Sequence, residues 1–223
     1  MPDGLYSFYL HSDDRTDIAA MATINTISQP LRGEFIRTVA TAGAVVYQAD
    51  PRLPALIPVF FDGQLSAVRL CAVIAMVSGT WSSLTGLPDE PDTRKPAGEM
   101  PAERERRRYT LALQDDRGSE RVETLLAGVS SRLRGDLLRN LIITGLALHT
   151  TAPELPRLLA SLPVPPATVS ELQAIVRQMV RAEPGGGSIR EAGETENAVL
   201  PVTTSPGAET AGIKKNMRRA FGD

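Results

Sequence analysis

The sequence predicts a mainly α-helical protein with a short two-stranded antiparallel ribbon, assembled from two tandem copies of one unit. The segment 28–60 recurs 102 residues later as 130–162, which indicates an internal repeat. Each copy begins with a strand-like stretch and continues with segments of helical periodicity. Because a lone strand is not stable in water, the strand of each copy needs the strand of the other copy as its partner.

The repeat is defined by matching residues. The Asp-Asp-Arg sequence at 13–15 recurs at 115–117, and the block 28–60 contains, besides Ser28, nine identical positions without a gap. In the first copy these positions are Leu31, Arg32, Gly33, Arg37, Gly43, Pro51, Leu53, Pro54 and Leu56. Two copies of a unit of roughly 75 residues therefore make up most of the chain.

A strand opens each copy, over residues 5–12 in the first and 108–114 in the second. Apolar and polar side chains alternate in both stretches, which is the period of a strand with one buried face. The residues predicted to face inward are Phe8 and Leu10 in the first copy, and Tyr109, Leu111 and Leu113 in the second. This phase departs by one residue from the 102-residue shift, so we expect a one-residue slip in the strand.

Four helices are predicted to follow the strand in each copy. Asp-Asp pairs precede the first helix, and Pro-x-Leu-Pro motifs end the second helix and begin the third. The first, second and fourth helices are expected at 14–26, 30–48 and 65–77, and again at 118–127, 132–150 and 169–180. The predicted organisation is a first unit at 1–83, a linker at 84–104, a second unit at 105–182, a disordered linker at 183–210 and a C-terminal partner-binding segment at 211–223.

The composition argues against several kinds of function. One cysteine and two histidines leave little material for a disulfide framework, a metal site or a catalytic relay, and there is no glycine-rich phosphate loop. We therefore expect no enzyme activity, no metal and no cofactor. The N-terminus lacks a signal-peptide pattern, and the longest apolar run is interrupted by Arg69. A cytoplasmic protein without a membrane partner is expected.

The uneven charge along the chain leaves double-stranded DNA open as a partner, although the net acidic balance lowers that expectation. The net charge of -2 conceals a basic module, because residues 104–181 hold 12 arginines against 8 acidic residues. Two paired strands over helices form a ribbon-helix-helix arrangement, whose ribbon fits the major groove. The side chains predicted to reach base edges are Ser7, Tyr9, His11, Arg108, Thr110 and Ala112.

The starts of the second helices, at 28–32 and 130–134, are predicted to contact the DNA backbone, because N–H groups at a helix N-terminus bind phosphate. Arg32, Arg132 and Arg134 would add charged contacts there. Other arginines have competing interpretations. The run 104–109 is also typical of a solvated linker end, and the apolar surroundings of Arg37 and Arg139 favour structural salt bridges.

Three segments of the chain resemble the ParR/StbB centromere-binding adaptors of plasmid partition systems. They are TAGAVVYQADPRLPAL (41–56), TGLALHTTAPELPRLL (144–159) and the terminal KKNMRRAFG (214–222). The resemblance implies a ribbon-helix-helix protein that assembles on direct repeats of a centromere-like site and represses its own promoter. It also implies that the C-terminal segment engages a filament of the actin-like ATPase ParM. Those proteins carry one unit and dimerise, so two units suggest a single-chain pseudodimer whose unequally charged copies contact DNA unequally.

The C-terminal segment combines apolar residues at helical spacing with basic residues on the other faces, a pattern typical of a helix that folds on binding. The residues predicted to bind the partner are Ile213, Lys214, Lys215, Met217, Arg218, Arg219 and Phe221. The alternative function is a tandem ribbon-helix-helix transcriptional repressor or DNA-transfer accessory protein. Such a protein would share the ribbon without needing this segment.

Overall fold

The computed structural model of the chain describes residues 4–80 and 105–182. In these ranges the elements are β1 (Leu5–His11), α1 (Arg15–Thr26), α2 (Gln29–Ala49), α3 (Leu53–Phe60), α4 (Ala67–Ser78), β2 (Arg106–Ala112), α5 (Arg117–Ala127), α6 (Arg134–Thr151), α7 (Leu155–Ser161) and α8 (Val169–Ala182). The predicted fold class is confirmed, since the described part of the chain is mainly helical with one two-stranded antiparallel sheet. The predicted segments 84–104, 183–210 and 211–223 lie outside the described residues.

The two strands form one ribbon with one buried face. β1 pairs with β2 so that Phe8 lies opposite Tyr109, and their stacked rings have centroids 5.4 Å apart. Both rings are buried, together with Leu10 and Leu111. Phe8 therefore corresponds to Tyr109 with a shift of 101 residues, which confirms the predicted one-residue slip. β2 begins at Arg106, two residues before the predicted strand.

The long helices α2 and α6 cross at the centre of the core. A Cβ atom at Gly43 would overlap the carbonyl oxygen of Leu141, and one at Gly145 would overlap that of Val39. Gly43 and Gly145 occupy the same position in the two copies. The two backbones therefore touch directly at a place where only glycine leaves enough room.

The other helices also form contacts between the two copies. α3 of the first copy packs against α6 of the second, α7 of the second packs against α2 of the first, and α4 packs against α8. Each second helix is thus covered by elements of the other copy. The described residues belong to one compact unit in which neither copy buries its own apolar surface alone.

A buried ion pair also links the copies. Arg139 in α6 donates from Nε to Oδ1 of Asp17 at 2.6 Å, and its Nη2 lies 3.3 Å from Oδ2 of Asp14. Asp17 is fully buried and accepts a second hydrogen bond from the His11 N–H at 2.9 Å. Burial raises the pKa of Asp17, and this outweighs the lowering by Arg139 and by the His11 N–H. The structural salt bridge predicted for Arg139 is confirmed.

The corresponding position in the second copy has no buried carboxylate. Ser119 stands where Asp17 stands in the first copy, and its hydroxyl donates to Asp116 at 2.8 Å. Arg37, the counterpart of Arg139, donates instead to the backbone carbonyl of Ala112 at 3.4 Å. The two copies thus share a backbone plan but differ in the charges that they bury.

Candidate nucleic-acid interface

The outer face of the ribbon is the set of strand side chains that point away from the helices. These are Leu5, Ser7, Tyr9 and His11 on β1, and Arg106, Arg108, Thr110 and Ala112 on β2. The β2 members are all exposed, and the β1 members are half-buried apart from the exposed Leu5. The six residues predicted to reach base edges all lie on this face.

Two arginines of β2 reach across β1 on the outer face. The Arg108 guanidinium donates to the Ser7 hydroxyl, from Nη2 at 2.9 Å and from Nε at 3.1 Å. The Arg106 guanidinium lies 4.5 Å from the centroid of the Tyr9 ring, a cation–π contact. Within the part of the chain that the structure describes, neither arginine forms an ion pair. Two positive charges without an ion-pair partner among the described residues are therefore held at the surface of the ribbon.

A groove of about 650 Å³ runs between the outer face and the start of α6. Its ribbon side includes Tyr9, His11 and Arg106, and its helix side includes Arg132 and Asp136. The acidic groups Asp13, Asp14 and Asp17 also line the groove. Arg132 therefore lies near the end of the ribbon that contains His11 and Arg106. Both acidic and basic side chains surround it.

The starts of α2 and α6 are not capped by a side chain. No side-chain hydrogen bond is made by their N-cap residues, Ser28 and Leu133, whereas Asp14 and Asp116 cap α1 and α5. At α2 the Leu31 N–H donates to the Ser28 carbonyl and Pro30 has no N–H, so fewer N–H groups are left for water or a ligand there than at the start of α6. α6 begins at 134 rather than at the predicted 132, since Pro30, which favours the start of α2, has Arg132 as its counterpart.

The arginines at the start of the second helices make structural contacts. Arg32 donates from Nη2 to the carbonyl of Ile27 at 3.1 Å, and Arg134 donates from Nε to the carbonyl of Val129 at 3.1 Å. These contacts occupy the same position in both copies, and each braces the turn before its own helix. A phosphate contact by these two side chains stays a prediction.

Two segments of the chain, residues 4–74 and residues 107–176, match the protein family described as "Plasmid stability protein". Together the segments span more than half of the chain. The chain belongs to the plasmid stability protein family. The two matches coincide with the two structural copies, so the repeat is a duplication of the family's unit. Searches of curated proteins and of solved structures gave no match.

Leu5 and Arg106 are the outer-face residues of this plasmid stability protein that sequence reasoning missed, and Arg106 is the charged one. Arg106 continues the alternation of Arg108, Thr110 and Ala112 by two residues toward the N-terminus. The alternation of polar and apolar residues that marks a strand is not visible at Arg106, because residues 106–108 are all arginine. The composition of such a run is also typical of a linker end.

The described residues contain no group of His, Cys, Asp and Glu side chains that could hold a metal ion. None of the helices in the described ranges is long and apolar enough to cross a membrane. The predicted partner-binding residues all lie outside the described part of this plasmid stability protein. They are Ile213, Lys214, Lys215, Met217, Arg218, Arg219 and Phe221.

Proposed function

We propose that this plasmid stability protein is a sequence-specific DNA-binding protein that recognises a centromere-like site through its ribbon. In this proposal it is a non-catalytic ribbon-helix-helix protein acting on plasmid DNA in the cytoplasm. The observation that carries the proposal is the outer face itself. It presents the exposed Arg106 and Arg108 on the face of the two-stranded ribbon that points away from the helices.

The dimensions and chemistry of the ribbon suit the major groove. A major groove about 12 Å wide admits a two-stranded ribbon, and there a guanidinium can bind both O6 and N7 of guanine. Ser7 and Tyr9 hold the guanidinium groups of Arg108 and Arg106 in place before DNA arrives. The ordering cost on binding is then lower than for free arginine side chains.

The flanking helices supply contacts to the DNA backbone in this proposal. The uncapped starts of α2 and α6 carry N–H groups and the positive end of a helix dipole, which favour phosphate. Arg132 is exposed next to the start of α6 and adds a charge. Such contacts set orientation and register, whereas the outer face reads the base sequence.

Replacing both arginines, R106A/R108A, is expected to remove sequence-specific binding. Each good bidentate contact to guanine contributes about 1–3 kcal/mol, so affinity should fall by about 30-fold or more. The measurement is a fluorescence titration with labelled duplexes tiled across the DNA upstream of the gene. Each titration is repeated with unlabelled competitor DNA to separate specific from non-specific binding.

The charge-matched control is R52A/R157A. Both arginines are exposed, Arg52 between α2 and α3 and Arg157 in α7, and each forms a pair with a nearby acidic residue. The control should bind the preferred duplex like the wild-type chain. Equal loss in both variants would mean that only net charge matters, and unchanged binding by R106A/R108A would remove the ribbon from the account.

We further propose that the chain is an adaptor between DNA repeats and an actin-like ATPase filament. The support is the sequence pattern of 211–223, which follows a Gly- and Pro-rich stretch of 28 residues at 183–210. A flexible stretch of that length reaches about 30 Å. The segment can therefore search for a partner while the ribbon stays on DNA.

Deleting residues 211–223 should leave DNA binding nearly normal and abolish co-sedimentation with filaments of an actin-like ATPase encoded beside the gene. The reason is that the apolar positions of the segment have no partner on the DNA and suit a groove on a protein. A truncated chain that binds DNA poorly would assign the segment to the DNA backbone. Unchanged co-sedimentation would contradict the adaptor and favour a repressor.

A further inference from the structure

The backbones of the two strands are related by an approximate two-fold axis, but the side chains on the two sides of this axis differ. The axis passes through the Phe8–Tyr109 pair, since these residues lie opposite each other and occupy the same position in the two copies. Every outer-face residue on one side of the axis therefore has a counterpart on the other side. In a homodimer the counterparts would be identical, but in one chain they are free to differ.

We infer that the ribbon reads a non-palindromic DNA site and binds it in one orientation, an inference that rests on the proposed function. The basic half of the outer face consists of Tyr9, His11, Arg106 and Arg108. The neutral half consists of Leu5, Ser7, Thr110 and Ala112. By the two-fold relation, Leu5 and Ser7 stand where the basic half has Arg106 and Arg108.

The two halves present different chemistry to the base edges. In the basic half the Arg106 guanidinium lies over Tyr9, and that of Arg108 reaches to Ser7 beside the axis. Guanidinium groups pair with guanine. The neutral half has the exposed side chains of Leu5 and Ala112 at its far end, and the exposed Thr110 opposite Ser7. Small apolar groups and the threonine methyl contact the methyl group of thymine.

A second asymmetry, outside the strands, points the same way. The groove that contains Arg132 opens beside Tyr9, His11 and Arg106, which are members of the basic half. At the start of α2 the counterpart of Arg132 is Pro30, which carries no charge. The contact that a helix start can make with the DNA backbone therefore differs between the basic half and the neutral half.

A palindromic operator matches a protein with two identical halves. Here a guanine-rich half-site should face the basic half, and a half-site with thymine should face the far end of the neutral half. The chain would then sit on each copy of a direct repeat with the same polarity.

The inference is tested by directed cleavage with single-cysteine variants, E105C and D115C, each in a C71A background. Glu105 and Asp115 are exposed, and they flank the basic and the neutral ends of the ribbon respectively. Each variant carries an iron–EDTA group on its thiol. The labelled variant is then bound to the duplex that the wild-type chain selects from a random-sequence pool. E105C should cut only on the guanine side of the site, and D115C only on the opposite side.

If each labelled variant cuts on both sides of the site, the chain binds in two orientations. That result would overturn the inference without contradicting the proposed DNA binding. If the selection yields no preferred duplex, the proposed function fails as well. A second measurement uses the wild-type chain, so it does not depend on how the variants fold. Duplexes in which either half-site is duplicated into a palindrome should bind about tenfold or more weakly than the selected duplex. Equal or tighter binding by either palindrome would overturn the inference.

Discussion

Replacing the two crossing glycines, G43A/G145A, is expected to lower the free energy of unfolding by about 3 kcal/mol or more. Each new methyl group would overlap a backbone carbonyl of the opposite helix, at Leu141 or Val39. A backbone cannot rotate away as a side chain can, so α2 and α6 must separate and the packing around them must open. The loss should appear in urea denaturation as a lower midpoint.

The matched control lies in the same two helices. A methyl group added at Gly33 would meet no neighbouring atom, and one added at Gly135 would make only an ordinary contact with the Ser7 carbonyl. G33A/G135A should be neutral or stabilising by about 1 kcal/mol per site, because alanine favours a helix more than glycine does. Similar stability losses in the two double variants would contradict the direct backbone contact between α2 and α6.

Replacing Arg139 by alanine is expected to cost about 3 kcal/mol, since it leaves the fully buried Asp17 carboxylate without its partner. The lower end of the range for a buried pair applies, because the Arg139 side chain is 21% exposed. Urea denaturation at neutral pH measures the loss. The control R37A removes the counterpart arginine, which bonds the neutral Ala112 carbonyl and Gln114 side-chain amide instead of a buried carboxylate, and should cost much less.

The pH dependence of R139A provides a sharper test of the same contact. Burial already raises the pKa of Asp17 above its ordinary value of 3.8, and loss of Arg139 should raise it further. A native state with a raised carboxyl pKa binds more protons than the unfolded chain between the two pKa values. The contribution of Asp17 to stability therefore rises as the pH falls through that window.

The deficit of R139A relative to the wild-type chain should accordingly shrink on acidification from neutral pH toward the ordinary carboxyl pKa. Comparing the two proteins at each pH cancels the titration of the other carboxylates. A deficit that stays constant with pH would mean that Arg139 stabilises the fold by packing and not through Asp17. A deficit that grows in acid would contradict the raised pKa.

Local patterns predicted the elements of this fold well because each of them is encoded over a short stretch. The alternation around Phe8 and Tyr109 gave the inward phase of both strands, and the Asp-Asp pairs gave the starts of α1 and α5. The repeat also indicated that the strands pair with each other. What periodicity could not show is which helix of one copy covers which helix of the other, since that depends on contacts between distant residues.

The candidate site was predicted only where a pattern marked it. Strand alternation correctly predicted which side chains share the outer face, because successive side chains of a strand point to opposite faces. These side chains are Ser7, Tyr9, His11, Arg108, Thr110 and Ala112. Arg106 was missed because its arginine neighbours conceal that alternation. The carbonyl contacts of Arg32 and Arg134 could not be predicted, because they depend on how the chain turns between two helices.

The most direct test of the account is plasmid retention by the R106A/R108A variant. An unstable test plasmid carries the gene with its flanking DNA, and the fraction of plasmid-bearing cells is counted over generations without selection. We expect cells with the wild-type chain or the R52A/R157A control to keep the plasmid. Cells with R106A/R108A should lose it, although urea denaturation shows that this variant is folded. Full retention by R106A/R108A would contradict the central claim, that plasmid stability depends on the outer face of the ribbon.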